Sequence, residues 1–531
     1  MHLHKITISF ITALAAVCCL PLGGLASQVA AKPIVVTTLT DTADPPFNAD
    51  GLCGTGTVND LPGADGLVSL REAIIAANNT AGEKKITFAP NLSGGIIVVN
   101  FDDLDADAFP DPLPALCGGQ TRIKGDLDGD DVPDITLEGA AIPVAAPPLA
   151  GAGLLIISSH NSITGLRVQH FPIGIRVRAG DFTTAGIVEH TQVKNTIVAA
   201  SRIDGIDVRT GNVPGSLVAH TTLTQNTVST NARFGILVVA SLSGVGSDSQ
   251  IDHTIITDNT VTNSGQIGIF LLSVGDRNVL SDTTIARNTV SNNTFLGINV
   301  SGGVGGADGN TVDIHIKDNT VTDNGLFGIR VNAGQDNSSD NHIEALVRGN
   351  IVERNRQFCG ILAIGAVGAS TPVATGTSVN NVLDVRIEQN TVRSQTGTGI
   401  CMIGAGGGPG GQAGAIGDNN QVTAVVKQNV VEDNTAEGIL LAAGGDGRAS
   451  GNTLEVRVAH NTVCHNTGPD IAGEGGDSGH PPLLPNLGTG NLLQGRIFQN
   501  TATTVVVRDG AQNGTPENIA DVRQFKNEPC P

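Results

Sequence analysis

The residues whose types and spacing best suit chemistry are four aspartates. Asp126, Asp128, Asp130 and Asp134 stand at positions one, three, five and nine of Asp-Leu-Asp-Gly-Asp-Asp-Val-Pro-Asp, with a backbone carbonyl available at seven. That spacing suits the oxygen-rich shell of Ca2+. Converging carboxylates repel one another unless a cation lies between them. The competing reading is an acidic turn between two strands, Thr121 to Lys124 and Ile135 to Leu137. The run carries Asp131 where glycine would make the tight turn, and Leu137 at position twelve. A second group is Arg176, Arg178, Asp207 and Arg209, placed together if like positions of successive repeats stack. One acid among three arginines reads first as an ion-pair patch. No histidine falls beside a cysteine or another histidine at metal-ligand spacing in the chain.

A repeat must position these groups. Asparagine recurs at Asn195, Asn226, Asn259, Asn288, Asn319, Asn350, Asn390, Asn429 and Asn461, and a Gly-Ile pair follows at a nearly fixed distance, as at Gly297, Gly328 and Gly360. Before each asparagine, apolar and polar residues alternate, as in Asn310-Thr-Val-Asp-Ile-His-Ile-Lys-Asp-Asn319. Period two with β-branched residues is a strand with one buried face. Three short strands and three turns close one coil, with no segment of helical period between them. A lone coil cannot bury its apolar face, but a stack can. Each asparagine is expected to bond the asparagine of the next coil in a ladder, and each glycine to supply a corner with positive φ. Aligned on the asparagine, His220, His253, Asp282, Asp313, Glu344 and Asp384 form one outward column, beside His315, Lys317, Arg348 and Arg386. The two columns are matched in sign, which predicts a salt-bridge ladder. The alternative is a track for a cation or a glycan. Leu237, Val239, Phe270, Leu272, Leu362 and Ile364 form an outward apolar stripe, to be covered by Gly-rich inserts or by another subunit.

The Asn-x-Val and Gly-Ile pattern, over about residues 160–472, resembles the right-handed parallel β-helix proteins of pectin-lyase-like architecture. The resemblance implies an all-β, single-stranded right-handed solenoid of about ten coils. It is nearly silent on function, because lyases, hydrolases, epimerases, adhesins and tailspikes share the fold. In a pectate-type lyase an arginine acts as base beside aspartate-bound calcium, which makes Arg176, Arg178, Asp207 and Arg209 the catalytic candidates. The polygalacturonase-type Gly-His-Gly and Asn-Thr-Asp are absent. Ser69-Leu-Arg-Glu-Ala-Ile74 resembles the SLREA motif of secreted bacterial β-helix proteins. Ser69 and Glu72 have capping-box spacing, so a helix over Ser69 to Asn78 is expected to close the first coil. The predicted organisation is a signal peptide over 1–31, an N-terminal cap with that helix and the acidic loop over 32–150, the β-helix over 151–472, and a C-terminal cap over 473–531.

Composition bounds the partners. The net charge is −20, which disfavours nucleic acid, anionic lipid and polyanions unless a cation bridges them. The chain has no Trp and no Tyr, so a sugar could stack only on Phe. After the short apolar run of the leader, no segment is long enough to span a membrane. The mature part keeps six cysteines, an even number that suits an exported protein. Nearest-neighbour pairing gives Cys53–Cys117 and Cys464–Cys530. It also pairs Cys359 with Cys401 between adjacent coils, but that connectivity stays open, because the register is three residues off and alternation points the two side chains to opposite faces. The leading functional reading is a secreted or cell-surface, non-catalytic rod that binds a glycan or a matrix or surface protein. The alternative is a polysaccharide lyase or glycoside hydrolase.

Overall fold

The structure, a computed structural model, describes residues 32–48, 52–100, 113–142, 151–181, 183–241, 248–367, 377–406, 417–444, 449–475, 489–509 and 518–531. The stretch predicted as a signal peptide, 1–31, and most of the Gly-rich inserts (within 242–247, 368–376, 407–416 and 445–448) lie outside these residues. The chain winds as a right-handed parallel β-helix with three long sheets of 18, 13 and 12 strands. Like strands of successive coils pair in parallel: Thr311–Lys317 lies on His342–Arg348, and that on Val382–Glu388. Inward Val312, Ile314 and Ile316 are fully buried in a core that runs the length of the winding.

The predicted ladder is present. Asn319 Oδ1 accepts both the backbone N–H (2.9 Å) and the side-chain amide (3.0 Å) of Asn288, and Asn319 in turn donates both to Asn350 Oδ1. The same bonds join Asn226, Asn259, Asn390, Asn429 and Asn461, and they continue through Asn500 to Asn527. Asn195 does not belong to the column. Thr196 takes the position, giving its N–H to Asn226 Oδ1, and Asn195 is the left-handed residue before it, with φ 48°. Two further ladders mark the other corners. One runs through Asn293, Asn324, Asn355 and Gln395, the other through Asn278, Asn310, Asn341, Asn381 and Asn420.

The glycines act differently from the sequence expectation. Positive φ falls on the residue before each ladder asparagine, such as Asp318 (56°) and Asp323 (60°), and not on Gly297, Gly328 or Gly360. These glycines are needed for space. A Cβ on Gly328 would lie 2.5 Å from Val352 Cγ1 and 2.7 Å from the Gly360 carbonyl. The pairing left open by the sequence is settled: Cys359 and Cys401 are bridged, with their Cα atoms 6.1 Å apart. The ladder register slips between Arg356 and Cys359, so Cys359 joins Leu362 and Cys401 in one outward apolar cluster. Cys53–Cys117 and Cys464–Cys530 are also bridged.

The helix Leu70–Asn78 forms with its capping box: Ser69 Oγ accepts the Glu72 N–H (3.1 Å) and Glu72 Oε2 accepts the Ser69 N–H (2.9 Å). Leu70, Ala73, Ile74 and Ala77 are fully buried in the same core as Ile34 and Ile86 of the first strands. Arg71 is buried too, and its guanidinium meets Asp41 through Nε (3.0 Å) and Nη2 (2.7 Å). Parallel pairing reaches beyond 151–472 at both ends: Lys32–Val36 stacks on Lys84–Phe88, and Leu492–Phe498 on Ile519–Phe525. Replacing Arg71 by alanine leaves Asp41 buried without its partner. Chemical denaturation is expected to show a loss of about 3–5 kcal/mol. Gly328→Ala is expected to cost about 1–3 kcal/mol by the same measurement, because the added methyl has only core and backbone to displace.

Candidate functional site

The acidic loop gathers three of its four aspartates. Ligand oxygens of Asp126, Asp128 and Asp130 lie within 4.8 Å of one another, with Asp126 buried and the other two exposed. The turn is built from carboxylates that accept N–H bonds two or three residues on, Asp126 from Gly129 and Asp128 from Asp130. Asp131 takes the left-handed conformation (φ 65°) in place of the missing glycine. Asp134 is a correction to the predicted ligand set. Its Oδ1 accepts the Ser93 hydroxyl (2.5 Å) and its Oδ2 the Leu127 N–H (2.7 Å), which together hold it below the usual carboxylate range. It frames the loop and does not join the cluster. Three carboxylate oxygens within reach of one point are the donors that part of a Ca2+ shell would use, and Lys124 Nζ, 3.7 Å from Asp126 Oδ2, competes for one of them.

The arginine group does not line an open groove. Arg176, Asp207 and Arg209 are all buried, and Arg178 is half-buried. Register places Arg176 beside Asp207 and Arg178 beside Arg209. Asp207 accepts from Arg176 Nε (2.9 Å) and Arg209 Nε (2.7 Å), and its second contact with Arg209 closes the pair. Burial pulls the Arg176 guanidinium down to about 10, with Arg209 adding to the shift and Asp207 opposing it. Burial alone would raise the Asp207 carboxyl, but Arg209 and Arg176 outweigh it and hold it below the usual range. Both guanidinium groups are buried and bonded to Asp207, so neither is presented to a substrate as a base would have to be. The apolar stripe beyond this cluster is not bare either. Leu237, Val239, Leu362 and Ile364 are buried within the single chain, and Phe270 and Leu272 are half-buried.

The first sheet carries an open groove on its outer face. Asp313, His315, Glu344, Arg348, Asp384 and Arg386 line a cavity of about 560 Å3. The two outward columns stack as expected, Asp313 on Glu344 on Asp384. The salt-bridge ladder between them does not form. Arg386 turns to Glu388 (2.7 Å), which Lys427 also meets (3.2 Å), and Arg348 donates to Gln389. Among the described residues, the Asp384 carboxylate meets only His342, at 3.1 Å. Asp313 and Glu344 have no hydrogen bond or ion pair among the described residues. Charge that matches in sequence does not pair in space, because buried Glu388 takes Arg386 and Lys427 while Gln389 takes Arg348. His160 and His190 join His220 and His253 in one stack; spacing places the last two in a column but not the first two.

No protein-family model matches the chain, and no curated protein does. Among solved structures, the A-module of Azotobacter vinelandii mannuronan C-5 epimerase AlgE6 is similar at 16% identity over 87% of this chain and 94% of its own, with a TM-score of 0.44. The AlgE4 A-module of the same organism gives 14% identity over 91% and 97%, with a TM-score of 0.41. Pectate lyase Pel9A gives 10% identity over 66% and 82%, with a TM-score of 0.32.

Asp207→Asn would leave two buried guanidinium groups without a carboxylate. The expected loss at neutral pH is about 3–5 kcal/mol by chemical denaturation. Because the folded carboxyl is held below its unfolded value, its contribution is present above the ordinary aspartate range and lost as pH falls through the depressed value. Denaturation curves of the wild type and the Asn variant should therefore converge only in strong acid.

Proposed function

We propose that this chain is a non-catalytic extracellular rod that binds a glycan along the groove of its first sheet. The observation that carries the reading is the pair of unpartnered carboxylates, Asp313 and Glu344, one coil apart in a groove that also offers Arg348 and Arg386. Carboxylates accept from sugar hydroxyls, and strong charge-assisted bonds can replace the missing aromatic platforms. Against a lyase stands the burial of Arg176 and Arg209 around Asp207. Three disulfides suit an oxidising compartment, and no helix among the described residues is long and apolar enough to cross a membrane. In this reading Ca2+ belongs to the Asp126, Asp128 and Asp130 loop as a structural ion that neutralises its carboxylates.

Purified protein incubated with a panel of neutral and uronate glycans should retain at least one of them and release no unsaturated or reducing ends. Glu344→Gln with Asp313→Asn should abolish retention while leaving the melting temperature unchanged. New ends would reject the non-catalytic reading, and retention by the double variant would move the site elsewhere. Ca2+ should raise the melting temperature of the wild type but not of Asp128→Asn, and a chelator should reverse the rise.

A further inference from the structure

The most unusual surface feature outside the groove is a column of imidazoles. His160, His190, His220 and His253 come from four successive coils and are exposed. Their ring centroids are 4.8, 4.7 and 4.9 Å apart, the first two pairs stacked within 15° and 7° of parallel. All four sit at a left-handed corner, with φ between 48° and 63°. Histidine tolerates that conformation, as do Asn and Asp. Tolerance does not explain the choice. At the equivalent corner before the asparagine ladder, the left-handed residue changes from coil to coil through Gln225, Asp258, Arg287 and Asp318. Here it is histidine four times running, followed by Asp282.

The column has a closed and an open end. His253 is held by two carboxylates, Nδ1 2.7 Å from Asp252 Oδ2 and Nε2 2.8 Å from Asp282 Oδ2, and Ser281 Oγ donates to Asp252 Oδ1 (2.6 Å) to fix the first of them. The ring nitrogens of His160, His190 and His220 have no hydrogen-bond partner among the described residues. Imidazole nitrogen is the preferred donor for late first-row divalent cations. Two rings hold one cation when their nitrogens close to within twice a Zn–N bond of about 2.0–2.1 Å. The rings stand with their centroids 4.7–4.9 Å apart, and stacked faces aim their in-plane nitrogens side by side, so each exposed ring must turn about its side-chain torsions to bring its nitrogen to a shared cation. The carboxylates of Asp252 and Asp282 add negative potential at one end of the column.

We infer that the His160, His190 and His220 column is a binding site for a late first-row divalent cation such as Zn2+ or Cu2+, held between neighbouring imidazoles and completed by water. The site is separate from the aspartate loop, whose hard oxygen donors suit Ca2+. Zn2+ titrated calorimetrically into the full chain at neutral pH should bind saturably in the presence of excess Ca2+. Cu2+ bound to the same protein should show an electron paramagnetic resonance spectrum coupled to more than one nitrogen. His190→Asn keeps a residue suited to left-handed φ, and it should weaken Zn2+ binding by more than the roughly tenfold that loss of even an outer partner costs. His170→Asn, which removes a histidine outside the column paired with Glu138, should leave binding unchanged. Circular dichroism should confirm that both variants keep the fold. Absence of saturable binding, a Cu2+ spectrum without nitrogen coupling, or full-strength binding by His190→Asn with His220→Asn would each overturn the assignment.

Discussion

The structure depends on one bond pattern repeated at its corners. Where a strand ends, the backbone turns left-handed for one residue and the next N–H points along the winding axis with no strand partner. An asparagine in the following coil accepts that N–H, accepts the side-chain amide above it, and passes its own amide downward. Asn288, Asn319 and Asn350 show the full set, and each Nδ2 also donates to a carbonyl of the coil above, as Asn319 does to Ile285. A buried amide left unpaired costs about 1–3 kcal/mol, so a corner without its asparagine would carry several unpaired groups at once. Three such ladders fix the register of three sheets. Register in turn decides which residues stack into columns on the outside.

Columns make the chemistry of this chain collective. A single exposed aspartate or histidine is ordinary, but the winding multiplies it at the spacing of neighbouring strands, about 4.8 Å. Three outcomes appear on one molecule. Around Asp207 the charges are buried and clasped, which serves stability. Along the first sheet Glu388 and Gln389 take Arg386 and Arg348, and Asp313 and Glu344 make no side-chain bond among the described residues. At the N-terminal coils of the same sheet four imidazoles stack, and those of His160, His190 and His220 have no nitrogen partner among the described residues. The glycan reading and the cation reading use different parts of one face and stand independently.

The coil, the main ladder, the helix cap and two disulfides were legible because each rests on local pattern: period two before the asparagine, Ser69 three residues before Glu72, cysteines near the chain ends. What was not legible depended on space. Glycine at a corner and glycine under a neighbouring valine look alike in sequence, and only the 2.5 Å approach of Val352 Cγ1 to a Cβ at Gly328 distinguishes them. The register slip between Arg356 and Cys359 is what left the Cys359–Cys401 pairing undecided in sequence. Asn195 illustrates how little is needed to lose a column. It stands one residue before the true ladder position at Thr196, and aligning on it puts Glu189 where His190 belongs. The other two ladders were diluted by Ser264 and Gln395 and by loops of changing length. For the acidic and basic columns, charge matching was readable, but the competing carboxylate of Glu388 was not.

The central claim is that stacked asparagines hold the corners. Asn319→Ala, examined by hydrogen–deuterium exchange with mass spectrometry alongside chemical denaturation, tests it most directly. The account predicts a loss of at least about 2 kcal/mol, the cost of two buried amides left unpaired at roughly 1–3 kcal/mol each. It also predicts that peptides containing the Asn288 amide lose protection, whereas those spanning Thr322 on the adjoining strand keep it. Unchanged stability with an equally protected Asn288 amide would contradict it.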